Sequence, residues 1–235
     1  LRTLAPTLVL SQSLCAVCGV DKAAVDNALC ALPGDDIGQF NFAPASLAAV
    51  FDAIEALGEL LGVPARAGTL RRELEARVQA VAARSAALTG PRPAVVFLEW
   101  LAPFFSGGHW NPELVKLAGG TPLLGRAGEK SSAFDWEQLV AVDPDVIFIA
   151  ACGLPVSRTL AELAQFHALP TWRRLRAIKA GRVYASDGNA YFNRAGPRLV
   201  DSLELLAHAL HPNVHRLPAG LPGARPVEAG VAVAC

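Results

Sequence analysis

The sequence has no methionine, only two tyrosines and no surplus of charge of either sign. Its 21 basic and 21 acidic residues cancel, which removes the electrostatic case for binding nucleic acid or an anionic membrane surface. Because the chain begins with Leu1 and lacks methionine, it is expected to be a processed or truncated product.

The segments and motifs that mark several other protein classes are also missing. No apolar run approaches the ~20 residues that span a bilayer, so membrane insertion is not expected. No G-x-S-x-G, H-E-x-x-H or phosphate-binding glycine loop occurs, which argues against the corresponding enzymes. Apolar residues make up 52% of the chain and charged residues 18%, which is ample for sizeable cores.

One short pattern occurs twice: a leucine leads through a proline to a leucine or β-branched run, and a cysteine follows. The first copy occupies residues 1–10 and precedes Cys15, and the second occupies 139–148 and precedes Cys152. Such runs favour buried parallel strands, whose exit loops lie at the ligand-binding edge of open α/β sheets. The repeat therefore predicts two related lobes with both cysteines at a shared cleft; coincidence among abundant leucines and prolines is the alternative.

Five cysteines make an odd count. Cys15 and Cys18 form a C-x-x-C, which supplies only half of a four-cysteine zinc site. Buried thiols or a local disulfide are favoured over a metal for this pair. Together with Cys152, the pair is nevertheless a candidate metal or redox site. Cys235 lies in a tail rich in proline, glycine and alanine and is expected to be a loose terminal thiol.

Two helices are predicted between the two copies of the repeat. From Pro44 to Leu61 the apolar residues follow a 3.6-residue period, and Ser46 is placed to cap the helix. From Pro64 to Leu88 a second apolar stripe predicts a helix ~37 Å long, which is enough to connect two small lobes.

Strands alternate with helices from residue 94 onward, and the connections between them are short. Strands are predicted at 94–98, 146–150 and 183–185, and helices at 113–118, 136–142, 158–166 and from 197. This order implies a parallel sheet, so the predicted fold class is α/β, with two Rossmann-like lobes joined by a long helix. The predicted domains are an N-terminal lobe (1–62), a connecting helix (63–90), a C-terminal lobe (91–212) and a flexible tail (213–235).

The loop after the first of these strands is rich in aromatic residues and is predicted to bind a flat organic ligand. Its candidate ligand-binding residues are Trp100, Phe104, Phe105, His109 and Trp110. For His109 the default interpretation is a polar residue at the rim of the loop, because no acidic residue or second histidine lies at metal-ligand spacing. Axial coordination of a metal already held in a macrocycle is the alternative.

A polar turn follows the strand at 183–185. Asp187, Asn189, Tyr191 and Arg194, with Asn193 among them, are placed to hydrogen-bond amide or carboxylate groups of a ligand. The alternative role is turn and cap chemistry, which is expected to explain at least half of these residues.

Four segments carry a resemblance to a known family: LRTLAPTLVLSQSLCAVCGV, FLEWLAPFFSGGHWNPELVKLAGG, WEQLVAVDPDVIFIAACG and GRVYASDGNAYFNRAGPRLVDSLELLAHALHP. They resemble the cobalamin-binding, BtuF-like branch of the class III metal-chelate periplasmic binding proteins of ABC transporters. The resemblance runs from Leu1 to about Pro212, and DGNAYFNRAGPRLVDSLELLA is its most specific part.

This resemblance implies two α/β lobes, a connecting helix at Pro64–Leu88 and a metal chelate bound between the lobes. The implied ligand is cobalamin or a related corrinoid, with haem or an iron-siderophore as alternatives. The implied partner is an ABC transporter permease, in an extracytoplasmic location, and the implied role is not enzymatic. Family members have further elements of the first lobe before the equivalent of Leu1, so the resemblance also implies that this lobe is incomplete.

Other functions remain open from the residues. Cys15, Cys18 and Cys152 would converge in a cysteine-dependent metal-binding or redox protein, or in a metalloenzyme. A C-x-x-C without a leader fits a cytoplasmic chain as well. A third possibility is an interaction domain that has the α/β fold but neither of these functions.

Overall fold

The computed structural model describes residues 3–13, 20, 22–31, 37–169 and 171–228. Its first region is a two-stranded parallel sheet formed by β1 (Leu8–Gln12) and β2 (Gly38–Phe42), with helix α1 (Lys22–Cys30) between them in the chain. The strand predicted by the first copy of the repeat is therefore present. None of the residues of β1 is buried, so the predicted burial of this strand is not found.

A pair of helices follows, α2 (Leu47–Leu60) and α3 (Pro64–Ala86). Ser46 caps α2 by accepting a hydrogen bond from the Ala49 N–H at 3.2 Å, as predicted. Gly62 has φ 69° at the turn between the helices, and Pro64 lies in the first turn of α3, where its missing N–H costs nothing.

The two helices are joined by ion pairs and a shared apolar interface. The Arg71 guanidinium of α3 lies 2.8 Å from Asp52 and 2.6 Å from Glu55 of α2, and 2.8 Å from Glu75 on its own helix. Val50 and Phe51 of α2 belong to the same buried cluster as Leu74 of α3.

The rest of the chain forms a larger α/β region. Its strands are β3 (Ala94–Leu101), β4 (Phe104–Ser106), β5 (Thr121–Leu123), β6 (Ala133–Phe134), β7 (Val146–Ile149), β8 (Val183–Ala185) and β9 (Arg225–Pro226). Its helices are α4 (Asn111–Leu117), α5 (Trp136–Val142), α6 (Val156–Leu163), α7 (Arg176–Lys179) and α8 (Arg198–Leu210), with 3₁₀ turns at Ala164–Ala168 and Trp172–Arg174.

The strand order of this sheet is β6-β4-β3-β7-β8-β9, with β5 beside the first half of β3. The central pairs β3–β7, β7–β8 and β3–β5 are parallel, which confirms the α/β class. The pairs β3–β4, β4–β6 and β8–β9 are antiparallel, and the sequence pattern did not predict them.

Helices cover both faces of the larger sheet. Alternate residues of β7 enter opposite cores: Val146 and Phe148 pack with α3, α4 and α8, whereas Ile147 and Ile149 pack on the face of α5 and α6. Arg77 fastens α3 to α8 through Asp201 at 2.5 Å and Glu204 at 2.6 Å.

The predicted flexible tail differs from the structure over the residues described. Val227 is buried and its N–H donates to the Val183 carbonyl at 2.8 Å, while Arg225 and Pro226 pair with β8. Proline is compatible with this position because β9 is an edge strand. Residues 225–227 therefore pack on the larger sheet, and Cys235 lies outside the described residues.

None of the described helices is both long and apolar enough to cross a membrane.

Candidate functional site

The parallel strands β3, β7 and β8 end at one edge of the larger sheet, and each is followed by a loop that carries predicted site residues. Trp100 is the next-to-last residue of β3, Cys152 follows β7 and Asp187 follows β8. This carboxyl edge is where open α/β sheets bind ligands.

Close backbone packing joins the loops after β7 and β8. The Gly188 N–H donates to the Leu154 carbonyl at 3.0 Å, and a Cβ atom at Gly188 would lie 1.8 Å from the carbonyl oxygen of Ala151. The Asn193 side-chain amide donates to the carbonyls of Ala150 at 2.9 Å and Gly188 at 3.1 Å. The two loops thus form one fixed surface, and Asn193 is one of the residues that hold it.

Within the polar turn, the predicted residues have different roles. The Asp187 carboxylate accepts from the N–H groups of Asn189 at 2.8 Å and Ala190 at 3.3 Å, so it closes the turn. Tyr191 is half-buried against the core. Asn189 and Arg194 are exposed, and in the described part of the protein the Arg194 guanidinium donates only to the neighbouring Asn193 carbonyl. The side chains of Asn189 and Arg194 are therefore the most available to a ligand.

Two aromatic side chains remain accessible on the paired strands β3 and β4. Trp100 is 38% exposed, and its indole N–H donates to the Ala102 carbonyl at 3.1 Å. Phe105 is half-buried and lies opposite Trp100 in the β3–β4 ladder. Of the predicted tryptophan and phenylalanine residues, these two have side chains that are not buried.

Phe104 and Trp110, in contrast, are core residues, contrary to the prediction that they contact a ligand. Phe104 is 5% exposed and its ring stacks 5.5 Å from that of Phe134. Trp110 is 4% exposed and its indole N–H donates to the Phe192 carbonyl at 2.6 Å. Both were predicted to lie in a loop, whereas Phe104 lies on strand β4, with its side chain toward the core, and Trp110 immediately precedes α4.

His109, which lies between Phe104 and Trp110 in the sequence, has a left-handed backbone conformation with φ 51°. Its side chain is half-exposed, and its ring centroid lies 5.6 Å from that of Trp110. Positive φ is uncommon for residues other than glycine and is enriched at functional sites.

Glu99 holds the loop that bears His109, and sequence reasoning did not assign it a role. Its carboxylate accepts from the Gly108 N–H at 3.0 Å, from the Asn111 side-chain amide at 2.6 Å and from the Ser131 hydroxyl. The available signal was a carboxylate immediately after a buried strand, at the predicted binding edge. Its partners are 9 to 32 residues away in the chain, so the network itself had no local signal.

The candidate cysteine site cannot be assembled from the described residues. Cys15 and Cys18 lie in 14–19, outside them. Cys152 is a half-buried free thiol, and its N–H donates to the Glu99 carbonyl at 2.9 Å. Among the described residues, no group of three or more His, Cys, Asp or Glu side chains is arranged to hold a metal ion.

A separate groove of about 430 Å³ lies at the amino ends of β3 and β5, opposite the predicted edge. None of the predicted site residues lines it. Its lining residues are Ala82, Ser85, Ala86, Arg92, Lys116, Leu117, Gly120, Thr121 and Pro122.

Solved structures with a similar fold include transport proteins with different ligands. A periplasmic haem-binding protein from Pseudomonas aeruginosa is 22% identical and has a TM-score of 0.78, covering 97% of this chain and 80% of its own. An ABC transporter substrate-binding protein from Listeria monocytogenes is 24% identical with a TM-score of 0.72, covering 90% and 79%. The periplasmic vitamin B12-binding protein BtuF of Vibrio cholerae is 20% identical with a TM-score of 0.66, covering 89% and 76%.

At these identities the structural matches establish the fold alone. Comparison with curated proteins gave no significant match. The family model described as periplasmic binding protein matches residues 32–190, which is more than half of the chain. The chain therefore belongs to the periplasmic binding protein family.

Proposed function

We propose that this protein binds a metal chelate and delivers it to an ABC transporter, without catalysing a reaction. The preferred ligand is cobalamin or a related corrinoid, with haem or an iron-siderophore as alternatives. The observation that carries the proposal is the single fixed edge formed by the loops after β3, β7 and β8, on which Trp100, Phe105, Asn189 and Arg194 remain accessible.

The chemistry of this edge matches a flat ligand with polar side groups. The indole of Trp100 provides an apolar face for the ring of a macrocycle. The Asn189 amide is able to pair with the amide groups of a corrinoid, whereas the Arg194 guanidinium is best suited to carboxylates such as those of haem. The relatives described as haem-binding and vitamin B12-binding support a chelate of this kind.

If the predicted domain division holds, the small β1–β2 sheet supplies a second surface for the ligand. Helix α2, which follows β2 in the chain, meets the first turn of α4, where the Leu47 N–H donates to the Glu113 carboxylate at 3.1 Å. Phe42, at the end of β2, packs against the main core. We place the ligand between the carboxyl ends of the two sheets, with α3 as the connector.

Membership of the family supports an extracytoplasmic location and a permease as partner. This part of the proposal predicts that the ligand-loaded protein, but not the free protein, stimulates ATP hydrolysis by its reconstituted transporter.

Titration of the purified protein with cyanocobalamin and with haemin, followed by calorimetry and absorbance, tests the ligand class. Micromolar or tighter binding of either supports the proposal, and no binding of either at micromolar concentrations rejects it. A change of the Soret band with haemin, without binding of cyanocobalamin, assigns the protein to haem.

Two variants locate the binding surface. Trp100→Ala should weaken binding by about tenfold, and Val214→Ala, an equally exposed apolar residue away from the edge, should not. Arg194→Gln should reduce the affinity for haemin more than that for cyanocobalamin, because only haem carries carboxylates; Arg198→Gln is the matched exposed control. Equal losses in a variant and its control would place the ligand elsewhere.

A further inference from the structure

The backbone of His109 is held on both sides by neighbouring segments. Its N–H donates to the Glu129 carbonyl at 2.6 Å, and its carbonyl accepts from the Gly128 N–H at 2.8 Å. These bonds keep a residue other than glycine at φ 51°, an uncommon conformation that persists only when its surroundings impose it.

The residues on either side of His109 are fixed as well. The Glu99 carboxylate accepts from the Gly108 N–H and from the Asn111 side chain, and the Asn111 N–H donates to the Gly108 carbonyl at 2.9 Å. Gly108 leaves no room for a side chain, since a Cβ atom there would lie 2.2 Å from the backbone nitrogen of Ser131. The position of His109 is therefore set by the fold before any ligand arrives.

The imidazole of His109, unlike its backbone, has no hydrogen-bond partner among the described residues. The side chain is half-exposed, so its ring nitrogens are accessible. Three other histidines have structural partners: His208 with the His215 carbonyl, His211 with the Gly119 carbonyl, and His215 with the Ser85 hydroxyl. The fifth, His167, packs against Trp172 in the other core. His109 alone combines a constrained backbone with an accessible, unpartnered ring nitrogen.

We propose that the His109 imidazole is an axial ligand to the metal of the bound chelate, and that Glu99 is the positioning residue that orients it. This inference rests on the proposed function. The ring nitrogen replaces an exchangeable ligand such as water on the metal, and no electron is transferred. It narrows the ligand class to haem or a corrinoid with a free axial position, because a siderophore that fills all six positions of its iron has none.

The test uses haemin, aquocobalamin and cyanocobalamin with the full chain. Binding of haemin or aquocobalamin to the wild type should produce the absorbance bands of an imidazole complex. His109→Ala should lose those bands and bind about tenfold or more weakly, and added imidazole should restore the bands. Cyanocobalamin, whose upper axial position is filled, should bind both proteins alike. His167→Gln is the matched histidine control and should keep the wild-type bands.

The outcomes separate the two proposals. Wild-type spectra and affinity in His109→Ala would overturn axial coordination and leave the proposed function in place. No binding of any of the three probes to the wild type would reject both.

The role of Glu99 has its own readout. Glu99→Ala should reduce the affinity roughly 10- to 100-fold and reduce the imidazole bands, whereas Glu99→Gln, which keeps an acceptor oxygen, should retain part of both. A purely structural role would lower the free energy of unfolding of Glu99→Ala but leave the spectrum of its complex unchanged. An unchanged spectrum of the Glu99→Ala complex would therefore overturn the positioning role of Glu99.

Discussion

Strands β1 and β7 come from the two copies of one sequence pattern and are both in parallel sheets, yet they differ in burial. All four residues of β7 are fully buried, whereas Leu10 of β1 is 56% exposed. In the described part of the chain, β1 pairs with β2 alone, while β7 lies between β3 and β8 and has helices on both faces. The local pattern specifies a strand, and the neighbours of the strand decide how much it contributes to stability.

The largest expected contrast is between equivalent apolar residues of the two strands. Phe148→Ala removes a ring that packs 5.5 Å from Phe97 and 5.1 Å from Phe192, and should lower the free energy of unfolding by about 3–5 kcal/mol. Leu10→Ala should lower it by less than about 1 kcal/mol, because that side chain is already largely in water. Urea unfolding followed by circular dichroism measures both, and equal losses would show that β1 belongs to the main cooperative core.

Substitution of one glycine in each region should also have different effects on stability, because the space around the two backbones differs. Gly188→Ala should destabilise the protein by about 1–3 kcal/mol and weaken chelate binding, because the new methyl group collides with the rigid carbonyl of Ala151. Gly38→Ala in β2 should change stability by less than about 0.5 kcal/mol, since its nearest neighbour, 3.2 Å away, is the flexible end of Leu8. Unfolding curves and haemin or cyanocobalamin titrations of the two variants provide the comparison. A Gly188→Ala protein with wild-type affinity would remove the loop after β8 from the site.

Response to acid should also differ between the regions. Burial, and then the nearby Arg84 guanidinium, lower the pKa of His215 to about 4 from its usual 6.5. Burial likewise lowers the pKa of His211. Between pH 6.5 and 4 the unfolded chain therefore binds more protons than the folded one, so stability is full above pH 6.5 and falls as the pH drops toward 4. The slope is at most about 1.4 kcal/mol per pH unit for each group.

All five histidines lie in the larger region, from His109 onward. In the small N-terminal region, hydrogen bonds from Lys22 on α1 and Gln39 on β2 lower the pKa of Asp26 on α1. The contribution of Asp26 to stability is therefore present above pH 3.8 and is lost only at still lower pH. Urea unfolding at several pH values between 7.5 and 4.5 gives the free energy of unfolding as a function of pH. His215→Gln should reduce the change in this free energy per pH unit, and Asp26→Asn should leave it unchanged. The reverse result would place the acid-sensitive groups in the small region.

Local signals in the sequence were sufficient for several elements. Helix α5 and strand β8 have the predicted bounds, and α2 has the predicted cap, because caps and periodicity depend on residues within one or two turns. Helix α3 begins at the predicted proline and ends two residues before the predicted Leu88.

Features set by distant parts of the chain were not predictable in the same way. Phe104 is buried because β4 folds back on β3 and pairs with β6, and Trp110 is buried because its N–H reaches the Phe192 carbonyl. The role of Glu99 depends on Ser131, which follows it by 32 residues. For the candidate site, the sequence predicts the edge at which the strands end, and only the structure shows that Trp100 is exposed there while Phe104 and Trp110 are buried.

The smallest expected effect locates the boundary between the two regions. Helix α2 follows the small sheet in the chain, but its buried residues Leu47 and Val50 belong to the main core, so we expect it to unfold with the larger region. Ser46→Ala should lower the free energy of global unfolding by about 1 kcal/mol through loss of the cap. Lys22→Ala breaks only the exposed i,i+4 pair with Asp26 on α1 and should change it by less than about 0.5 kcal/mol. If Ser46→Ala proved as silent as Lys22→Ala in urea unfolding, α2 would belong with the small sheet, and the boundary would move from before this helix to the turn at Gly62.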